Sequence, residues 1–140
     1  MTRRMRPYTT KPDPARPPAY IYKLVRIWQK RMHLEHWGDI KLYTRAFKTA
    51  SAAETRWAKG YKGGSIHFGM KWLSNPTITF EEAESVVVHE LCHFLFADMD
   101  DRFEYYLGIG EVFFEYQKTR EGMCDTIATM LIERYKRAKK

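Results

Sequence analysis

The sequence predicts an α+β architecture, and three observations predict it. Apolar residues recur at helical spacing from Ala19 onward. Short apolar stretches punctuated by glycine follow between residues 38 and 70. A capped helix with a broad apolar face then begins at Thr79. The chain has 140 residues, 44% of them hydrophobic and 15% aromatic. That is enough to build one core without disulfides, and it excludes disorder over most of the length. The reading divides the chain into an arm, residues 1–17, and one domain, residues 18–140.

Each element has a local reason. Five of the six prolines fall in the first eighteen residues, among Arg3, Arg4, Arg6, Lys11 and Arg16, which reads as an extended basic arm. Tyr20, Ile21, Leu24, Val25, Trp28 and Met32 then form a helical stripe. Pro17 and Pro18 suit its first turn, and Gly38 is expected to end it. Ile40, Leu42 and Tyr43 suggest a strand. Residues 54–61 and 65–70 flank Gly63-Gly64, which reads as a hairpin turn, with Ser65–Phe68 as a short strand. Thr79-Phe80-Glu81-Glu82 fits a capping box. Ala83, Val86, Val87, Leu91, Phe94 and Leu95 give the helix behind it a broad apolar face, expected to run to about Ala97. A short helix over Phe103–Leu107, stopped by Gly108, and a last helix from about Thr119 into the basic tail complete the outline.

Charge is concentrated at the ends. Residues 1–35 carry nine Lys/Arg against two acids, and the last seven residues carry five bases, so residues 36–133 are net acidic within a total of +7. A basic pI of this origin is weak support for nucleic-acid binding by the whole chain. No apolar run is long enough to span a membrane, no hydrophobic segment follows the basic N-terminus as in a secretory signal, and two cysteines do not make a disulfide scaffold. The expectation is a cytoplasmic protein with free thiols.

The chemistry concentrates in two short motifs. His89-Glu90-Leu91-Cys92-His93 is H-E-x-x-H inside the capped helix. Five His and eleven Glu in 140 residues give about 0.014 such matches by chance. Residues four apart share a helical face, so both imidazoles can reach one zinc ion while the backbone stays regular. Glu90 is then placed to take a proton from a zinc-activated water and pass it to a leaving amine. A third protein ligand is needed. No His follows His93, which leaves carboxylates. Glu121 and Asp125, in Glu121-Gly122-Met123-Cys124-Asp125, are again four apart at the expected start of the last helix. One can bind the metal while the other accepts the free N–H of a ligating His. Glu111, Glu115 and Asp98 compete for the ligand role, and Tyr105, Tyr106, Tyr116, Arg120 and His67 are candidate oxyanion stabilisers. Cys92 and Cys124 read as buried thiols beside the site.

With both motifs in view, the chain resembles the gluzincin metallopeptidases. In size and element order it is similar to the minimal ones of the ImmA/IrrE type, and its stretch from about Lys48 to His93 is similar to the SprT-like peptidases. The resemblance implies a zincin-like fold: N-terminal helix, small three-stranded sheet, active-site helix and C-terminal helix. It implies zinc held by His89, His93 and Glu121, with Glu90 as general base and Asp125 orienting a ligand, and a peptide or protein as substrate. It also suggests that residues 64–70 form an edge strand along the cleft. The chain departs from thermolysin-like enzymes in carrying Arg120 where they have Asn, and from SprT-like ones in lacking a third His. The alternative is a zinc-stabilised, non-catalytic module whose basic ends contact nucleic acid or an acidic protein.

Overall fold

Helix α1 (Ala19–Arg31) starts behind Pro18, whose carbonyl accepts from the Ile21 amide, and buries Ile21, Leu24, Val25 and Trp28. The computed structural model describes residues 16–49, 51–58 and 63–138. The predicted arm lies outside the described residues up to residue 15. The helix ends seven residues before Gly38. The His33 amide donates to the Lys30 carbonyl and the Leu34 amide to the Gln29 carbonyl, the paired bonds of a Schellman motif. His33 takes the left-handed conformation at φ 56°, and Leu34 tucks into the core. The buried Gln29 amide secures the exit by donating to the carbonyls of Leu34 and Gly38. A 3₁₀ turn over Glu35–Trp37 then leads to Gly38.

Three strands follow: β1 (Lys41–Arg45), β2 (Ala53–Trp57) and β3 (Gly64–Gly69). Their order is β1-β3-β2, with β3 parallel to β1 and antiparallel to β2. The sheet is therefore mixed, and β3 is its centre rather than its edge. Trp57 pairs with Gly64, so the hairpin connection spans six residues instead of a two-residue Gly63-Gly64 turn. Residues 59–62 within it lie outside the described residues. Gly64 belongs to the strand itself. A Cβ there would lie 2.4 Å from the Phe94 ring and 2.9 Å from the Arg56 carbonyl oxygen. A single helical turn, α2 (Met70–Leu73), follows β3.

Helix α3 (Phe80–Leu107) has the predicted capping box: Thr79 Oγ1 accepts from the Glu82 amide, and Glu82 accepts from the Thr79 amide. It packs against α1, β2 and α4, and it runs ten residues past Ala97. The acidic run stays helical because Asp100 turns inward to a buried partner, and Gly108, at φ 70°, ends the helix. Val88 joins the core, whereas Leu95 faces outward. Helix α4 (Glu111–Ala138) begins eight residues before Thr119, so Glu121 and Asp125 sit well inside it. Trp28 joins the three long helices: its indole N–H donates to Glu84 on α3 at 3.0 Å, and its ring meets Tyr135 of α4 edge-on at 5.1 Å. The whole is an α+β arrangement of four helices and a three-stranded mixed sheet among the described residues. No helix among them is long and apolar enough to cross a membrane.

Candidate metal centre

The middle of α3 places His89 and His93 on the face that meets α4, and the T-shaped imidazoles lie 5.2 Å apart between ring centres. From α4, one carboxylate reaches both. Glu121 Oε2 is 3.1 Å from His89 Nε2, and Oε1 is 3.2 Å from His93 Nε2. Behind His89, Asp125 Oδ1 lies 2.7 Å from Nδ1. The two motifs, 32 residues apart, are thus brought together by the antiparallel pairing of two long helices.

This donor set fits a cation. A carboxylate is acceptor-only when ionised, so Asp125 requires a proton on His89 Nδ1. The neutral ring then presents a lone pair at Nε2, aimed at a second acceptor, Glu121. Only a further proton or a cation makes that approach favourable. Burial pushes the His93 pKa down to about 4, the Glu121 carboxylate opposing, which keeps the imidazole neutral as a ligand must be. Potential ligand atoms of His89, Glu90 and His93 also lie within 4.8 Å of one another. The residues that could hold the ion are His89, His93 and Glu121, with Asp125 fixing the tautomer of His89.

Glu90 is buried beside them. The Thr55 hydroxyl, on β2, donates to Glu90 Oε2 at 2.8 Å and lies 3.0 Å from the Glu90 carbonyl oxygen. Burial raises the Glu90 pKa to about 7, against the opposing pull of the Thr55 hydrogen bond. Burial thus favours the protonated carboxyl in the metal-free site, and a cation held by the neighbouring ligands would favour the carboxylate. No spacing rule links Thr55 to position 90, and sequence reasoning missed it.

These residues open onto a cleft of about 810 Å³ walled by β2 on one side and by Phe113 and Phe114 of α4 on the other. A shallower recess of about 310 Å³ continues past His89 and Glu90 toward Ser51 and Ser85. Strand β2, not residues 64–70, is the sheet edge that lines it. His67 is buried on β3, accepts from Arg45 Nε at 2.9 Å, lies 2.9 Å from Ser65 Oγ and stacks on Tyr43; it does not line the cleft. Tyr105 and Tyr106 stand exposed near the turn between α3 and α4. Tyr116 and Arg120 instead grip Asp100. Among the competing acids, Glu115 pairs with Lys118, and Asp98 and Glu111 are exposed away from the cleft lining. Cys92 and Cys124 are free, fully buried thiols; the Cys92 contact and burial push the Cys124 pKa far up, so it stays protonated. Compared with protein-family models, with curated proteins and with solved structures, the chain matches none of them.

Proposed function

We propose that the chain is a zinc-dependent metallopeptidase of the minimal gluzincin kind, with a zincin-like fold, acting on peptide or protein substrates. The observation that carries this reading is the convergence of His89 Nε2 and His93 Nε2 on the Glu121 carboxylate, with the buried Glu90 carboxyl beside them. A purely structural zinc site has no use for Glu90 in that position. The free thiols of Cys92 and Cys124 suit the reducing cytoplasm.

Bound zinc supplies Lewis-acid chemistry, polarising a carbonyl and acidifying water. Glu90 takes the proton of the attacking water and returns it to the leaving nitrogen. The Thr55 hydroxyl holds the Glu90 carboxylate in place through both transfers. Asp125 keeps the proton on His89 Nδ1, so that Nε2 remains a donor of electrons. An extended polypeptide fits the cleft and its continuation along β2, whose free edge offers main-chain hydrogen bonds.

Elemental analysis of the purified protein tests the centre, with about one zinc per chain expected. Glu90→Gln should keep that zinc and lower peptide hydrolysis by about 10²- to 10⁴-fold. A fully active Gln variant would remove Glu90 from the mechanism. Absence of metal after incubation with excess zinc would remove the peptidase reading altogether.

A further inference from the structure

Beyond the five motif residues, a second polar cluster is buried at the inner wall of the same cleft. Asp100 on α3 is 4% exposed, and Arg120 on α4 is 9% exposed. Arg120 Nη1 donates to Asp100 Oδ2, and the Tyr116 hydroxyl donates to Asp100 Oδ1, so both oxygens of Asp100 are occupied. Arg120 and Tyr116 are one turn apart on α4, and Asp100 lies two turns beyond His93 on α3, so the cluster continues the seam that carries the candidate ligands. Arg120 Nη2 extends to Glu121 Oε1 at 3.5 Å, the same oxygen that faces His93 Nε2. Arg120 Nε is the buried side-chain atom without a hydrogen-bond partner among the described residues. The guanidinium is thus aligned by two carboxylates rather than saturated by its surroundings.

We propose that Asp100, Tyr116 and Arg120 form a positioning relay for Glu121, so that the affinity and ligand geometry of the metal centre depend on an acid two helical turns away. The inference rests on the metal-centre reading above. Glu121 is half exposed, so burial alone does not fix the orientation of its carboxylate. Arg120 supplies one: a planar cation, itself fixed by Asp100, engages Oε1 and sets the plane in which the carboxylate faces the two imidazoles. Tyr116 acts one step further back by holding Asp100. The relay explains how a chain with Arg120 before Glu121 orients that ligand. None of the three need touch substrate.

The test is zinc affinity by competition with a chromogenic chelator, together with the visible spectrum of the Co²⁺-loaded protein, for Asp100→Asn, Arg120→Lys and Tyr116→Phe. Loss of an outer-shell partner weakens metal binding by about 10- to 100-fold. That range is expected for Asp100→Asn and Arg120→Lys, with a change in the Co²⁺ band shape. A smaller loss in the same direction is expected for Tyr116→Phe. The last variant removes one hydroxyl and keeps the ring stacked on Phe103 at 4.4 Å, so it decides the matter should the buried pair prove necessary for folding. Glu115→Gln, at an exposed acid of α4 paired with Lys118, serves as the unchanged control. If the parent binds zinc and the folded variants bind it equally well with the same spectrum, the relay is wrong while the metal centre stands. If the parent binds neither ion, both readings fall.

Discussion

Glu90, His93 and His67 carry opposite signs in the balance between folding and protonation. Burial lowers the pKa of both histidines, that of His93 to about 4 and that of His67 in the same direction. The unfolded chain therefore binds more protons than the folded one as pH falls below the ordinary imidazole value of 6.5, and stability falls with it. Glu90 is raised to about 7 from 4.5, so its contribution is present at low pH and is lost as pH rises through 7. The test is thermal unfolding of the metal-free protein across pH. Glu90→Gln should gain on the parent by up to the order of 3 kcal/mol as pH rises from about 4.5 to 8. A difference independent of pH would show that Glu90 titrates normally. At His33 the cost is conformational. An exposed, non-glycine residue at φ 56° pays for the left-handed backbone, while glycine does not. Set against the extra freedom of glycine in the unfolded chain, His33→Gly should stabilise by about 0.5–1 kcal/mol. A lower urea midpoint would contradict this.

At the scale of elements, the sheet and α3 are locked by a close approach at Gly64. The Phe94 ring, which also tilts against Trp37 at 4.8 Å, occupies the space that a side chain at Gly64 would need. Gly64→Ala pushes a methyl against that buried ring and against the Arg56 carbonyl. The expected loss is about 1–3 kcal/mol, read as a lower urea midpoint with unchanged slope. A neutral substitution would mean that Phe94 swings aside freely. The sequence made the α3 start legible because a capping box is local: Thr79 and Glu82 satisfy each other within one turn. The end of α3 was illegible for the converse reason. Asp98, Asp100 and Asp101 discourage helix by local propensity, and only Arg120 and Tyr116, sixteen to twenty residues on, give Asp100 a reason to stay in one. The early start of α4 is illegible for a related reason: Phe113, in its first turn, is buried in the fold, and that burial follows from packing rather than from a local signal.

At the scale of the molecule, the candidate site was read from two i, i+4 patterns, and the fold brings both to one point. What those patterns could not carry was the identity of the wall opposite. Strand order depends on which edges pair in three dimensions, so β2 rather than β3 faces the cleft, and Thr55 on β2 meets Glu90. Of the bases at the two ends, Arg3, Arg4, Arg6, Lys11, Lys139 and Lys140 lie outside the described residues. The α3–α4 hairpin alone supplies His89, His93 and Glu121. A cation gripped by these residues ties together positions 32 apart in the chain. In the unfolded state a tie of that span would remove loop entropy worth on the order of 3–4 kcal/mol if it persisted as a covalent link does. Metal coordination, unlike a disulfide, comes apart when the helices separate. With the proposed ion bound, the hairpin would behave as a reversible clasp holding two 28-residue helices together, and removal of that ion is expected to loosen the floor of the cleft.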